Sequence, residues 1–270
     1  MIPPWLRLVA LAWLATATIA SAQAASATVF LEQLTWTELQ QQVSGGKTTI
    51  LVPIGGTEQN GPHMVLGKHN VRVKALAERI ALALGNALVA PVLAYVPEGG
   101  VNPPTAHMRF PGTITMPEAT FEALLEAAAR SFKLHGFHDI VFLGEHGGYQ
   151  RTLKVTADRL NREWAATPVR AHALPEYYHS AETTFPQALR SKGYTDDEIG
   201  MHAGVADTSL SLAIEPGLVR TDRLHDGTRL GRADGVHGDP RRASAEAGQL
   251  GVATIVDASV AAIRKAVARR

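Results

Sequence analysis

Short apolar or β-branched runs recur along the chain, at Thr48 to Pro53, Ala87 to Leu93 and Asp139 to Leu143, and Val169 to Leu174 could be a fourth. The first three are continuous rather than alternating, whereas Arg170 and His172 interrupt the fourth. The pattern predicts strands covered on both faces, as in a parallel sheet. Between them the apolar spacing becomes helical, at Val71 to Leu84, Pro117 to Leu134, Arg151 to Trp164 and the Ala-rich stretch Ala243 to Val267. Pro117-Glu118 makes a good first turn for the second of these. Alternating strands and helices predict an α/β layered domain, with a mainly parallel central sheet flanked by helices. The polar stretch Ser191 to Glu198 reads as a loop or small insertion. No internal repeat or low-complexity linker interrupts the pattern.

The N-terminus has a different pattern. Arg7 precedes an apolar run from Leu8 to Ala20, and Ala22-Gln23-Ala24 has the small-x-small form of a cleavage site. The run is short of the ~20 residues that a bilayer span needs. It is read as a signal peptide over residues 1–24, cut after Ala24, with one domain over 25–270. The mature protein would then be periplasmic or secreted and free of the membrane. The alternatives are an anchor or a misassigned start.

Composition narrows the chemistry. The net charge is +1 with no basic stripe, which argues against a nucleic-acid partner. The chain has no cysteine, so disulfides and thiolate chemistry are excluded, and a metal would need His, carboxylate, amide or water ligands.

Three segments hold such ligands. Gly55-Gly56-Thr57-Glu58-Gln59-Asn60-Gly61-Pro62-His63, with His69 soon after, follows the first strand; a Gly/Pro-rich loop can fold several side chains toward one ion. Carboxylate and imidazole suit Zn, Mn or Fe(II). The alternative is a solvated surface turn. Glu145-His146-Gly147-Gly148 closes the third strand, where an exposed ligand competes with a plain strand-to-helix turn. His202 and Asp207 lie in Met201-His202-Ala203-Gly204-Val205-Ala206-Asp207-Thr208-Ser209 and could reach the same site, although Asp207 could instead cap a helix. In open α/β sheets, sites form at the carboxyl ends of strands, where the first two clusters fall. His107-Met108-Arg109-Phe110-Pro111-Gly112-Thr113 by itself says only loop, and His237 reads as a turn residue. Tyr177, Tyr178 and Phe185 are read as core, with pocket walls as the alternative.

Taken in order, these blocks resemble the creatininase (creatinine amidohydrolase) family. The matching stretches are Pro53 to His63 with Leu66-Gly67, then Phe110-Pro111-Gly112-Thr113, His146-Gly147-Gly148, His202-Ala203-Gly204 through Ser209, and Gly238-Asp239-Pro240. The resemblance covers residues from about 30 to 250. It implies a three-layer α/β fold, a two-metal site (usually Zn or Mn), amide hydrolysis and a homo-oligomer, commonly a hexamer. It implies that Glu58 and His146 bind metal and that His202 sits near the scissile bond. The chain departs from the pattern elsewhere. Asn60 stands where the family has a metal-binding His, His69 where it has a bridging Asp, and Gly148 where creatininase has a ligand Glu. Glu145 replaces a Gly and Asp207 a Glu.

An Asp can bridge two cations, whereas a neutral His binds one. The expectation is therefore one well-held divalent metal on Glu58, His69 and His146, with Asn60 as a weak further ligand. Glu145 or Asp207 would take a proton from water and His202 would serve the leaving group. The expected function is metal-dependent hydrolysis of an amide-like C–N bond in a small molecule. The alternatives are a lactone or ester hydrolase and a non-catalytic small-molecule binder on the same scaffold.

Overall fold

The computed structural model describes residues 28–224 and 229–268. The expected signal peptide lies outside the described residues. The sheet comprises β1 (Thr49–Ile54), β2 (Ala87–Val89), β3 (Asp139–Gly144) and β4 (Arg170–Ala173), all parallel, in the order β2-β1-β3-β4. Ile50 is in register with Leu88 on one side and Ile140 on the other.

The unbroken apolar runs have a direct cause. Every residue of β1 and β3 is buried, and successive side chains enter opposite layers. Leu51, Val89, Val141 and Leu143 share one core with α2 (Lys68–Leu84) and α9 (Ala245–Val267). Ile50, Val52, Leu88, Ile140 and Phe142 share the other with α3 (Glu118–Leu134) and α4 (Gln150–Glu163). The result is the expected three-layer α/β architecture. Among the described residues, no helix is long and apolar enough to cross a membrane.

The second run shortens, because β2 ends at Val89 rather than reaching Leu93. Pro91 has no N–H to give the ladder, which resumes only where Leu93 N donates to Pro53 O at 3.0 Å. Several helices have weaker sequence signals. α1 (Trp36–Ser44) opens with a capping box in which Glu38 N donates to Thr35 Oγ1 and Thr35 N to the Glu38 carboxylate. Beyond β4 come α5 (Pro175–Glu182), α6 (Thr184–Ser191), α7 (Asp196–Ile199) and α8 (Val205–Ile214). The polar stretch expected as a loop thus holds the end of α6 and most of α7. Thr195 and Glu198 form a second capping box at the start of α7.

A third, smaller apolar cluster joins Met64, Ala203, Leu218, Val219 and Val236. It pins the β1–α2 loop to the segments around α8. Val65 N donates to Leu218 O at 3.0 Å, and Arg220 N to His63 O at 2.7 Å. This clamp holds distant parts of the chain over the carboxyl ends of the strands.

Candidate metal centre

The polar clusters converge at the carboxyl end of the sheet. The β1–α2 loop brings Glu58, Gln59 and Asn60, and the first turns of α2 bring Lys68, His69 and Arg72. Glu98 and His107 come from the loop after β2, and Glu145 and His146 directly follow or lie just past the end of β3. His202 and Asp207 arrive with α8.

Local sequence sets each position. Gly55 lets the loop turn against α2, since a Cβ there would lie 2.9 Å from the Asn70 backbone. The Tyr149 hydroxyl accepts the N–H groups of Glu145 and His146, both at 3.1 Å, and lies 2.8 Å from the carbonyl oxygen of Ile54. One side chain therefore fixes the ends of β1 and β3 relative to each other. Thr113, of the Phe-Pro-Gly-Thr block, does the same for the loops. Its hydroxyl accepts from Gln59 N at 3.1 Å and donates to His107 O at 2.9 Å.

Glu58 is the fully buried centre of the site. Its Oε2 lies 3.3 Å from both His107 Nε2 and His146 Nε2. The same oxygen has no hydrogen-bond partner. Its Oε1 is 2.8 Å from His69 Nε2. Burial pushes the Glu58 carboxyl up, but His69 and His146 more than offset it and hold it well below the usual range. Ligand atoms of Glu58, His107 and His146 all lie within 4.8 Å of one another. A partnerless carboxylate oxygen converging with two imidazole nitrogens, without any thiol, is a donor set that fits a divalent transition cation.

The other expected site residues fall around this group. His69 stands between two carboxylates, with Nδ1 3.8 Å from Glu145 Oε1. Asn60 turns its amide nitrogen to the carbonyls of Glu58 and Val65, at 2.8 and 3.1 Å, and so shapes the loop. Glu145 and Asp207 are ion-paired to Arg72, at 2.6 and 2.7 Å. Lys68 adds a contact to Asp207 at 3.0 Å. Burial would raise both carboxyls, but these cations hold them low. Asp207 sits in the first turn of α8, whose cap is Gly204, and does not cap the helix; its Oδ2 reaches back to accept the Ala203 N–H at 2.8 Å alongside its ion pairs. His202 Nε2 is 3.0 Å from Gln59 O; burial and the charge of Lys68 push its pKa down to about 3, so it is neutral. Tyr177 belongs to the core and gives its hydroxyl to Glu145, while Tyr178 lines the cavity.

Two groups were not singled out from sequence. His107 was read only as loop, and its signal was its place just before the Phe-Pro-Gly-Thr block. Glu98 carried no signal beyond the Pro-Glu-Gly-Gly turn around it. It is 3% exposed, both its oxygens lack hydrogen-bond partners, and Oε2 lies 3.7 Å from His146 Nε2. Burial pushes this carboxyl up to about 8, with Glu58 adding repulsion and His146 opposing. A cavity of about 220 Å³ opens beside these groups, walled by His69, His107, His146, His202, Tyr178 and Met201 among others.

Known proteins place this geometry. The family profile described as creatinine amidohydrolase matches residues 32–263. The creatinine amidohydrolase of Pseudomonas putida is 30% identical over 211 residues, covering 74% of this chain and 77% of that protein. A crystal structure of creatininase superposes with a TM-score of 0.75 at 27% identity, covering 90% of this chain and 99% of the other. A creatininase variant described as a Zn-Zn type has a TM-score of 0.71 at 28% identity, with 89% and 98% covered. With the profile spanning most of the sequence and the fold matching at both levels, the chain belongs to the creatininase family.

Proposed function

We propose that this protein hydrolyses an amide-like C–N bond in a small molecule, at a divalent metal held by Glu58, His107 and His146. The observation that carries the reading is the partnerless Glu58 Oε2, at 3.3 Å from two imidazole nitrogens in a cavity wall. A metal bound there supplies Lewis-acid polarisation of a carbonyl and acidifies a water.

The chain's own residues divide the remaining work. Glu98 takes the proton in its ionised form, because burial beside His146 raises its carboxyl to about 8 and so makes that form a strong base, with no hydrogen bond to either oxygen. Glu145 and Asp207 were the candidates from sequence, but each is tied to a permanent cation, which makes it a poor base. His202, neutral and lining the cavity, hydrogen-bonds the scissile group. The cavity's volume, about 220 Å³, favours a compact substrate, and Tyr178 and Met201 give it an apolar side. The N-terminal apolar run from Leu8 to Ala20 supports export of the mature enzyme.

The test is a panel of cyclic amides, linear amides and lactones, assayed with metal-loaded protein and again after chelation. The reading expects near-stoichiometric metal and at least one amide hydrolysed, with activity lost on chelation and restored by Zn(II) or Mn(II). Loaded protein that cleaves only lactones, or binds no metal, overturns it.

A further inference from the structure

The carboxylates at this site separate into two sets with different partners. Glu58 Oε2, both oxygens of Glu98 and Glu145 Oε1 have no hydrogen-bond partner, but of these only Glu145 Oε1 has a permanent cation beside it. At the other end, the protein itself meets Glu145 and Asp207. Arg72 spans them, with Nη2 2.6 Å from Glu145 Oε1 and Nη1 2.7 Å from Asp207 Oδ1. Tyr177 donates to Glu145 Oε2, and Ala203 N and Lys68 Nζ reach Asp207 Oδ2 at 2.8 and 3.0 Å.

Both cations stand in an unfavourable place. Lys68 and Arg72 occupy the first turns of α2, and the Lys68 side chain has no solvent exposure. A helix N-terminus repels positive charge, and burying an ammonium or guanidinium is costly unless it is paired. No acidic residue in the first turn of α2 offsets them. Glu145 and Asp207, from other elements, are what hold them there. Lys68 and Arg72 already supply two positive charges to the Glu145–Asp207 end, so an ion placed there would add positive charge beside two buried cations.

We propose that Lys68 and Arg72 are resident cations taking the charge role of a second metal ion, so that the site binds one divalent cation and the Glu145–Asp207 end stays closed to metal. The inference rests on the metal-centre reading above. Removing both positive side chains would expose two carboxylates beside His69, whose Nδ1 is 3.8 Å from Glu145 Oε1, a set able to take a second ion.

The test titrates metal-free protein with Zn(II) by calorimetry and measures bound zinc after desalting. The wild type is expected to saturate at one ion per chain. The Lys68→Met/Arg72→Met double variant is expected to take two, and Arg72→Met alone to take a second, weaker ion. Circular dichroism confirms which variants are folded. Two ions on the wild type overturn the inference and leave the hydrolase reading standing, and that arm needs no variant to fold. A folded double variant that stops at one ion also overturns it. No ion on the wild type removes both readings.

Discussion

His107 Nε2 lies 3.3 Å from Glu58 Oε2, although the two residues come from loops after different strands. Thr113 makes this approach reproducible by hydrogen-bonding the Gln59 backbone and the His107 carbonyl together. The relationship turns a loop histidine into the third member of a donor set with His146.

It follows that His107→Ala should weaken zinc binding while leaving the fold intact, since His107 is only partly buried. Loss of an outer-shell partner costs a metal site about 10–100-fold in affinity, and loss of a ligand should cost at least as much. Competition against a chromophoric chelator measures it. An unchanged zinc affinity would remove His107 from the centre.

Glu98→Gln separates metal holding from proton transfer. The amide preserves the side chain's shape but cannot take a proton. Zinc content should stay near the wild-type level while kcat falls by about 10²–10⁴-fold, the usual contribution of a positioned base. Equal turnover in the two proteins would return the role to Glu145 or Asp207.

Asp207 should govern part of the acid stability. Burial alone would raise its carboxyl, but Lys68 and Arg72 hold it well below its usual 3.8. A carboxyl depressed by folding contributes stability above its unfolded value, and that contribution is lost as the pH falls through the folded one. Asp207→Asn leaves two buried cations short of a partner and should cost about 3–5 kcal/mol at neutral pH. The gap in Tm between variant and wild type should narrow as the pH drops below about 4. Thermal melts across this range check it, and a gap that stays constant would count against the assignment.

The α8–α9 contact depends on one glycine. A Cβ on Gly248 would lie 1.9 Å from the Ser209 carbonyl oxygen and 2.7 Å from Ala213 Cβ. Alanine gains about 1 kcal/mol of helix propensity over glycine. The opposing atom is backbone, so overpacking should win by about 1–3 kcal/mol net. Gly248→Ala should therefore unfold at lower denaturant, and a stabilised variant would show that the helices can part cheaply. Because α8 carries Asp207, zinc affinity should also be measured in this variant.

Much of this protein was legible before folding. Strands buried on both faces leave unbroken apolar runs, so β1 and β3 were readable to within a residue or two, and the order of short motifs identified the family. Local chemistry could also nominate Glu58 and His146, because a Gly-rich turn after a strand exposes such side chains. Sequence could not say which nearby carboxylates are free. Glu145 and Asp207 looked like bases until α2 brought Lys68 and Arg72 against them, and Glu98 looked like part of a turn until burial removed its partners. Those outcomes depend on distances between groups far apart in the chain. Motif spacing along one strand or loop carries no information about them, and electrostatic roles in a low-dielectric interior are decided by such distances.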